Sequence, residues 1–275
     1  MATLAQKLPY THPFAGGYPY RGSQRLPSDP DALTYLAAVA AADGAPVETA
    51  VAMAVDDFFT GCKADGIWDA IKASCILCGA RTLAGALVPL VGDAPTNVAD
   101  GFVEGDYSRT AGLTGDGTSY LDSGRNNNTD PQNNFHMAVY ETQGTKDGKP
   151  LMGCGIITNE AGVSNFGRYS SSGWFTRCRH GASFLNQTDP GGAAGLAGVS
   201  RSSAPTVIAR SFGVSTTATQ ASQTPFSDSL TIFGLAGTSS FTTSTLAFYS
   251  IGEAIDLEAL DARATALVTA IGAAV

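Results

Sequence analysis

Apolar residues recur along this chain with two different periods, and the period changes near Gly92. Before it the pattern is helical. Asp29-Pro30 places a cap ahead of a proline in the first turn. Leu33, Leu36, Ala37 and Ala40 then share a face, and Asp43-Gly44 closes the helix. A second helix is predicted from Pro46, with Val47, Val51, Val55 and Phe58 in a stripe and a stop at Gly61. A third is predicted from near Asp65, with Ile67, Ile71 and Cys75 aligned and Trp68 packed between helices. After Gly92 the runs shorten and alternate, bounded by turn residues: Ser119–Leu121, Phe135–Tyr140, Gly153–Thr158, Trp174–Cys178, Thr206–Val214 and Leu230–Leu235. Spacing of this kind predicts an antiparallel sandwich or barrel. In the last run, Leu246, Phe248 and Ser250 take one face and Ala247, Tyr249 and Ile251 the other. Gly252 breaks that strand. Asp256 then caps a helix striped by Leu257, Leu260, Ala264, Leu267, Val268 and Ile271. Such a stripe cannot face water, and the N-terminal helices are its expected partner. The expected fold is α+β, mainly β: an extended arm over 1–28, a helical segment over 29–92, and an antiparallel β-sandwich over 93–275 with a closing helix at 256–274.

Composition changes this picture at the N-terminus. Residues 1–28 contain Lys7, Arg21 and Arg25 and no acid, and hold Tyr10, Phe14, Tyr18 and Tyr20 among four prolines. Proline at that frequency excludes a helix or a central strand. Aromatics without a local core need a surface, so the segment reads either as a tail or as an anchoring arm lying on a neighbouring subunit. Elsewhere charge is sparse, at 15% of residues against about 25% in ordinary domains. Ser and Thr dominate residues 201–250, where Arg201, Arg210 and Asp228 are the charged positions. The net charge of −8 argues against a nucleic-acid partner. No apolar run approaches the roughly 18 residues of a membrane span, and the first residues lack the apolar core of a signal peptide.

Reactive groups are few. The five cysteines are an odd, scattered set that reads as free thiols of a chain folded in a reducing cytoplasm. Cys75 and Cys78 form a C-x-x-C amid Ile71, Ile76 and Leu77, and nearby stretches supply no histidine to complete a zinc site. The motif therefore reads as core. No base stands beside a nucleophile near His12, His136 or His180, and Gly162–Gly167 misses the nucleophile-elbow spacing by one residue. Glu141 and Glu160 read as isolated acids near turns, without the paired carboxylates of a glycosidase. Asp122, Asn126, Asn128 and Asp130 read as an Asn-rich turn, with a structural calcium as the alternative. No cofactor is expected. The strongest concentration of recognition chemistry is Arg168, Tyr169, Trp174, Arg177 and Arg179. It reads either as a strand with Trp174 and Cys178 in the core and its arginines in solvent, or as an Arg and aromatic surface for a glycan or protein.

Three stretches carry a family resemblance: Gly61–Leu77 with Gly79–Leu90; Gly112–Ser123 with Asn126–Asn134; and Leu246–Leu257 with its helix. Over about residues 30–275 the chain resembles virion structural proteins of tailed bacteriophages that carry a concanavalin or laminin G-like sandwich. The resemblance implies a non-enzymatic virion component, folded in the host cytoplasm and assembled with other virion proteins as a homo-oligomer. It fits a tail-associated role in fibre, baseplate or receptor binding, with head decoration or a module for host surface glycan as alternatives.

Overall fold

The computed structural model describes residues 25–98, 101–155, 160–171, 173–181, 184–191 and 194–275. Helix α1 (Pro30–Asp43) starts as expected: Asp29 accepts hydrogen bonds from the Asp31 and Ala32 amides, and Gly44 ends the helix in the left-handed conformation. Its buried face is Ala32, Tyr35, Leu36 and Val39, while Leu33 is 48% exposed. The face is turned from the expected one because Tyr35 reaches the ring of Phe59. Helix α2 (Thr49–Ala64) buries Val51, Val55, Phe58 and Phe59.

The third expected helix does not form. After one turn at Trp68–Ala70 the chain enters strand β1 (Ile71–Ile76). Ile71 and Ile76 pack toward the helices, whereas Ala73, Cys75 and Leu77 pack between the sheets. A strand buried on both sides shows no alternation, and the helical spacing of Ile71 and Cys75 is coincidental. The short helix α3 (Leu83–Ala86) follows, then β2 (Pro89–Val91), β3 (Thr96–Val98), β4 (Tyr107–Ser108), β5 (Gly112–Thr114), β6 (Tyr120–Asn126) and β7 (Phe135–Gln143). Next come β8 (Pro150–Gly153), β9 (Ser164–Arg168), β10 (Trp174–Cys178), β11 (Leu185–Gln187) and β12 (Gly195–Arg201). The last strands are β13 (Thr206–Ser211), β14 (Val214–Thr219), β15 (Ser229–Ile232) and β16 (Thr245–Gly252), before helix α4 (Leu257–Ala274).

These strands form two antiparallel sheets. One runs β14-β13-β12-β7-β16-β1-β2, with β5 also on β16 and β4 on β5; the other runs β11-β10-β9-β8-β15-β6-β3. One core lies between the sheets, built on Phe135, Met137, Val139, Tyr249 and Ile251. A second lies between the first sheet and the helices, where Phe58 meets Phe248 edge-on at 5.5 Å. Helix α4 packs on α2, as its stripe required: the Gly61 position abuts Arg263, which pairs with Asp65 at 2.6 Å. The segment expected to be helical therefore contributes two strands, β1 and β2, to the sandwich.

Strand β16 departs from simple alternation. Its register with β7 shifts between Leu246 and Phe248. That bulge sends Leu246 into the inter-sheet core with Tyr249 and Ile251, and Ala247 and Phe248 toward the helices. Phe248→Ala is expected to destabilise the fold by about 3–5 kcal/mol, measured as a lowered denaturation midpoint at unchanged slope.

Candidate functional site

The expected recognition stretch has the strand and the parity read from its sequence, but not the exposure. Trp174 and Cys178 lie in the inter-sheet core. The arginines are interior: Arg168 is 3% exposed, Arg177 1% and Arg179 0%. Arg179 lies over the Phe135 ring at 4.1 Å and donates to the carbonyls of Pro131 and Asn127. Burial pushes its guanidinium down to about 10. Arg177 donates to Gly181 O at 3.1 Å and covers Phe184 at 4.4 Å. Arg201, fully buried, donates to the carbonyls of Cys178, Ser203, Ala204 and Gln220. The solvent-exposed reading of Arg168, Arg177 and Arg179 is thus corrected. Polar loops folded over the strands present carbonyl groups that need donors, and a guanidinium supplies five. Tyr169 alone of the five is half-exposed; its hydroxyl donates to Asn186 Oδ1 at 2.7 Å. Of the arm residues, Tyr10, Phe14, Tyr18, Tyr20 and Arg21 lie outside the described residues, whereas Arg25 pairs with Asp56 at 2.7 Å and also with Asp57.

Other candidates are absorbed by structure. Cys75 and Cys78 fall in different cores, on opposite faces of one sheet, so the C-x-x-C presents no shared site. Asp130 pairs with Arg125, and Asp122 accepts from the Gly124 amide and Ser229 Oγ. His136 is buried, with Nδ1 on Glu253 O and Nε2 on Ser250 Oγ, and burial lowers it to about 4. Among the described residues no group of three or more His, Cys, Asp or Glu side chains is placed to hold a metal, and no helix is long and apolar enough to cross a membrane.

One cluster was missed by the sequence reading. Glu141 ends the inward row Phe135, Met137 and Val139 of β7 and is fully buried. Burial pushes its carboxyl up to about 7; Ser244 and Arg168 pull the other way, but neither makes a well-formed hydrogen bond to it. Arg168 Nη1 stands 3.6 Å from Glu141 Oε2, and Nη2 stands 3.3 Å from Asp189 Oδ1. Lys146 holds Asp189 at 2.8 Å. Burial opposes the ionised form of Asp189, yet Lys146, the Gly191 amide and Arg168 together keep it below the usual carboxylate range. The guanidinium also lies over Trp174 and Phe212, at 5.1 and 4.8 Å. Gly144 roofs the pair, because a Cβ there would strike Arg168 Nη1 and Glu141 Oε2. Above it opens a cleft of about 390 Å³ lined by Thr142, Gln143, Lys146, Arg168 and Asp189. Two carboxyls driven apart in acidity around one cation can bind hydrogen-bonding groups or exchange a proton near neutral pH. The available signal was parity: Glu141 shares the core face of a strongly apolar strand.

No family model matches this chain, and no curated protein matches it. Solved structures do. The chain is similar to mouse laminin α1 domains LG4-5 (12% identity, 46% of this chain and 37% of that one, TM-score 0.33). It is similar to Trypanosoma rangeli sialidase in complex with 2,3-difluorosialic acid (10% identity, 79% and 38%, TM-score 0.46). It is also similar to domain 4 of an extracellular arabinanase from Geobacillus stearothermophilus in complex with arabinotriose (12% identity, 63% and 82%, TM-score 0.35). The chain spans less than half the length of the first two of these solved chains. The likeness is one of fold alone.

The acidity of Glu141 has a signed consequence. Its folded value near 7 exceeds the unfolded value of about 4.3. The folded chain therefore keeps a proton that the unfolded chain has lost, and stability falls as pH rises from about 4.5 to about 7. Glu141→Gln is expected to remove this slope, so its stability relative to the parent improves by up to about 3 kcal/mol between pH 4 and pH 8. Paired denaturant titrations across that range check it, because the opposing effect of His136 is common to both proteins.

Proposed function

We propose that this chain is a non-enzymatic structural protein of a tailed-bacteriophage particle, most readily a tail-associated component of fibre, baseplate or receptor-binding type, with head decoration as the other placement. The observation that carries the reading is where the resembling stretches meet. Gly61–Leu77 supplies β1, Gly112–Ser123 supplies β5, and both strands pair with β16 from the third stretch. Stretches far apart in sequence therefore form one hydrogen-bonded unit. The interior arginines support a structural role: they brace the chain's own loops through main-chain carbonyls. The helical layer and the arm would attach the subunit to other virion proteins and to copies of itself, and the sandwich would project. Mass spectrometry and antibody labelling of gradient-purified particles test this. The chain is expected in the particle fraction at a fixed ratio to the major structural proteins, with label on the tail; a chain found only in the soluble fraction overturns the proposal.

A second reading, recognition of a host surface glycan, is favoured by the cleft over Lys146, Arg168 and Asp189. Its polar groups suit hydroxyl recognition, and it replaces the interior Trp174 and Arg177 as the place for a sugar. Binding on a glycan array is expected to disappear with Lys146→Ala and Asp189→Asn together. An array blank for the parent protein rejects this reading.

A further inference from the structure

The two sheet paths end in β14 and β2, and in β11 and β3. An open edge invites another strand, and proteins ordinarily blunt it by short length, proline, charge or a bulge. Strands β2, β3 and β11 have three residues each, and β2 begins with Pro89. Strand β14 carries none of these devices. It runs for six residues, Val-Ser-Thr-Thr-Ala-Thr, and pairs with β13 without a register shift. No charged residue occurs from Ser211 to Ser227, so the net charge of −8 resides elsewhere.

The parity of this edge follows from its turn. Phe212 and Gly213, at φ of 45° and 82°, connect β13 to β14 as a two-residue hairpin. Ser211 and Val214 are then the first hydrogen-bonded pair, and the pattern alternates from there. Val214, Thr216 and Ala218 direct their main-chain groups to β13. The Gln220 amide, of the same parity, reaches Pro205 O at 2.8 Å. Ser215, Thr217 and Thr219 direct theirs away from the sheet. All three residues are exposed, and among the described residues no further backbone group bonds to them. Two large apolar side chains left in solvent border the same edge. Val214 is 50% exposed, and Ile208, opposite Thr217 on β13, is 38% exposed.

We propose that β14 pairs antiparallel with β14 of a second copy of this chain, about a two-fold axis at Thr217. Antiparallel pairing of identical edges is self-complementary and closes after two copies. With the axis on Thr217, Ser215 faces the second copy's Thr219 and Thr217 faces itself, so each outward-directed residue exchanges hydrogen bonds with a counterpart. An axis on Thr216 would leave Thr219 against the hairpin turn. The neutral edge favours a copy of itself: it offers a foreign strand no charge to read, and two copies meet no like-charge repulsion across the seam. The contact joins the first sheets of two sandwiches into one continuous sheet. It does not depend on the virion reading.

Sedimentation and thiol crosslinking of the full-length protein test it. The parent is expected to sediment as a dimer at high concentration. Thr217→Cys is expected to give a disulfide-linked dimer under mild oxidation. Opposed residues of such a pair lie about 5.5 Å apart at Cα, within reach of a disulfide, and the five native cysteines are buried. Thr219→Cys is expected not to link, because the second copy's residue 219 lies four positions along the partner strand, about 13 Å away. Thr217→Lys, at an exposed position, sets like charges opposite each other. It is expected to weaken the dimer by roughly tenfold while the circular dichroism spectrum stays that of the parent. A parent that remains monomeric would leave the edge to a foreign strand and overturn the proposal. A dimer unaffected by Thr217→Lys, or linkage through position 219 and not 217, would overturn it as well.

Discussion

Strand β16 has no solvent-facing side. All eight of its residues are buried, it pairs with β1, β5 and β7, and it feeds both cores. Tyr249 and Ile251 hold the second sheet against the first, while Ala247 and Phe248 hold the helices. Its main chain is tied further by Ser74, whose hydroxyl donates to Tyr249 O at 2.6 Å. The bulge at Leu246–Phe248 lets one strand serve both layers, since strict alternation would have put Leu246 and Phe248 on the same face. The helical layer with α2 and α4 packs on the face that Ala247 and Phe248 of this strand provide.

The second organising interaction is electrostatic and internal. A chain with few charges places five arginines among the described residues, 168, 177, 179, 201 and 210, in buried positions. Arg210 meets a carboxylate, Asp261, at 2.8 Å, and Arg168 sits between two. Arg179 and Arg201 are instead surrounded by carbonyl groups. A buried cation is tolerated where its desolvation is offset by well-placed dipoles and ring faces. The same donors satisfy loop carbonyls that no ladder reaches. Long Ser, Thr, Asn and Gly-rich connections can therefore be closed over a sandwich without a larger apolar core.

Local signals were readable in the sequence where they are chemically complete. Asp29-Pro30 with Gly44 defined α1, Asp256 with its apolar stripe defined α4, and alternation placed β10 at Trp174–Cys178. What depended on distant partners was not readable. Strand β1 lacks alternation because both of its faces are covered, and only its pairing with β16 makes it a strand. The outward face of β10 is sealed by loops whose course sequence periodicity does not encode, so its arginines were placed in solvent. Glu141 had a usable signal in its parity with Phe135, Met137 and Val139, outweighed by its nearness to a turn. The candidate cleft draws on β7, β9 and two loops, and only the fold brings them together.

The sheet order also fixes when the molecule can be completed during synthesis. Strand β1 precedes every other strand and β16 follows them all, with Ser74 facing Ser250. Until β16 has been made, β1 and β7 each lack the neighbour that lies between them, with apolar residues on both faces. Pairing of such distant segments is slow, and unpaired edges invite association with other chains. The sandwich therefore cannot close before β16 has been made, and docking of that strand, more than any early helix, decides whether a folded chain or an aggregate results.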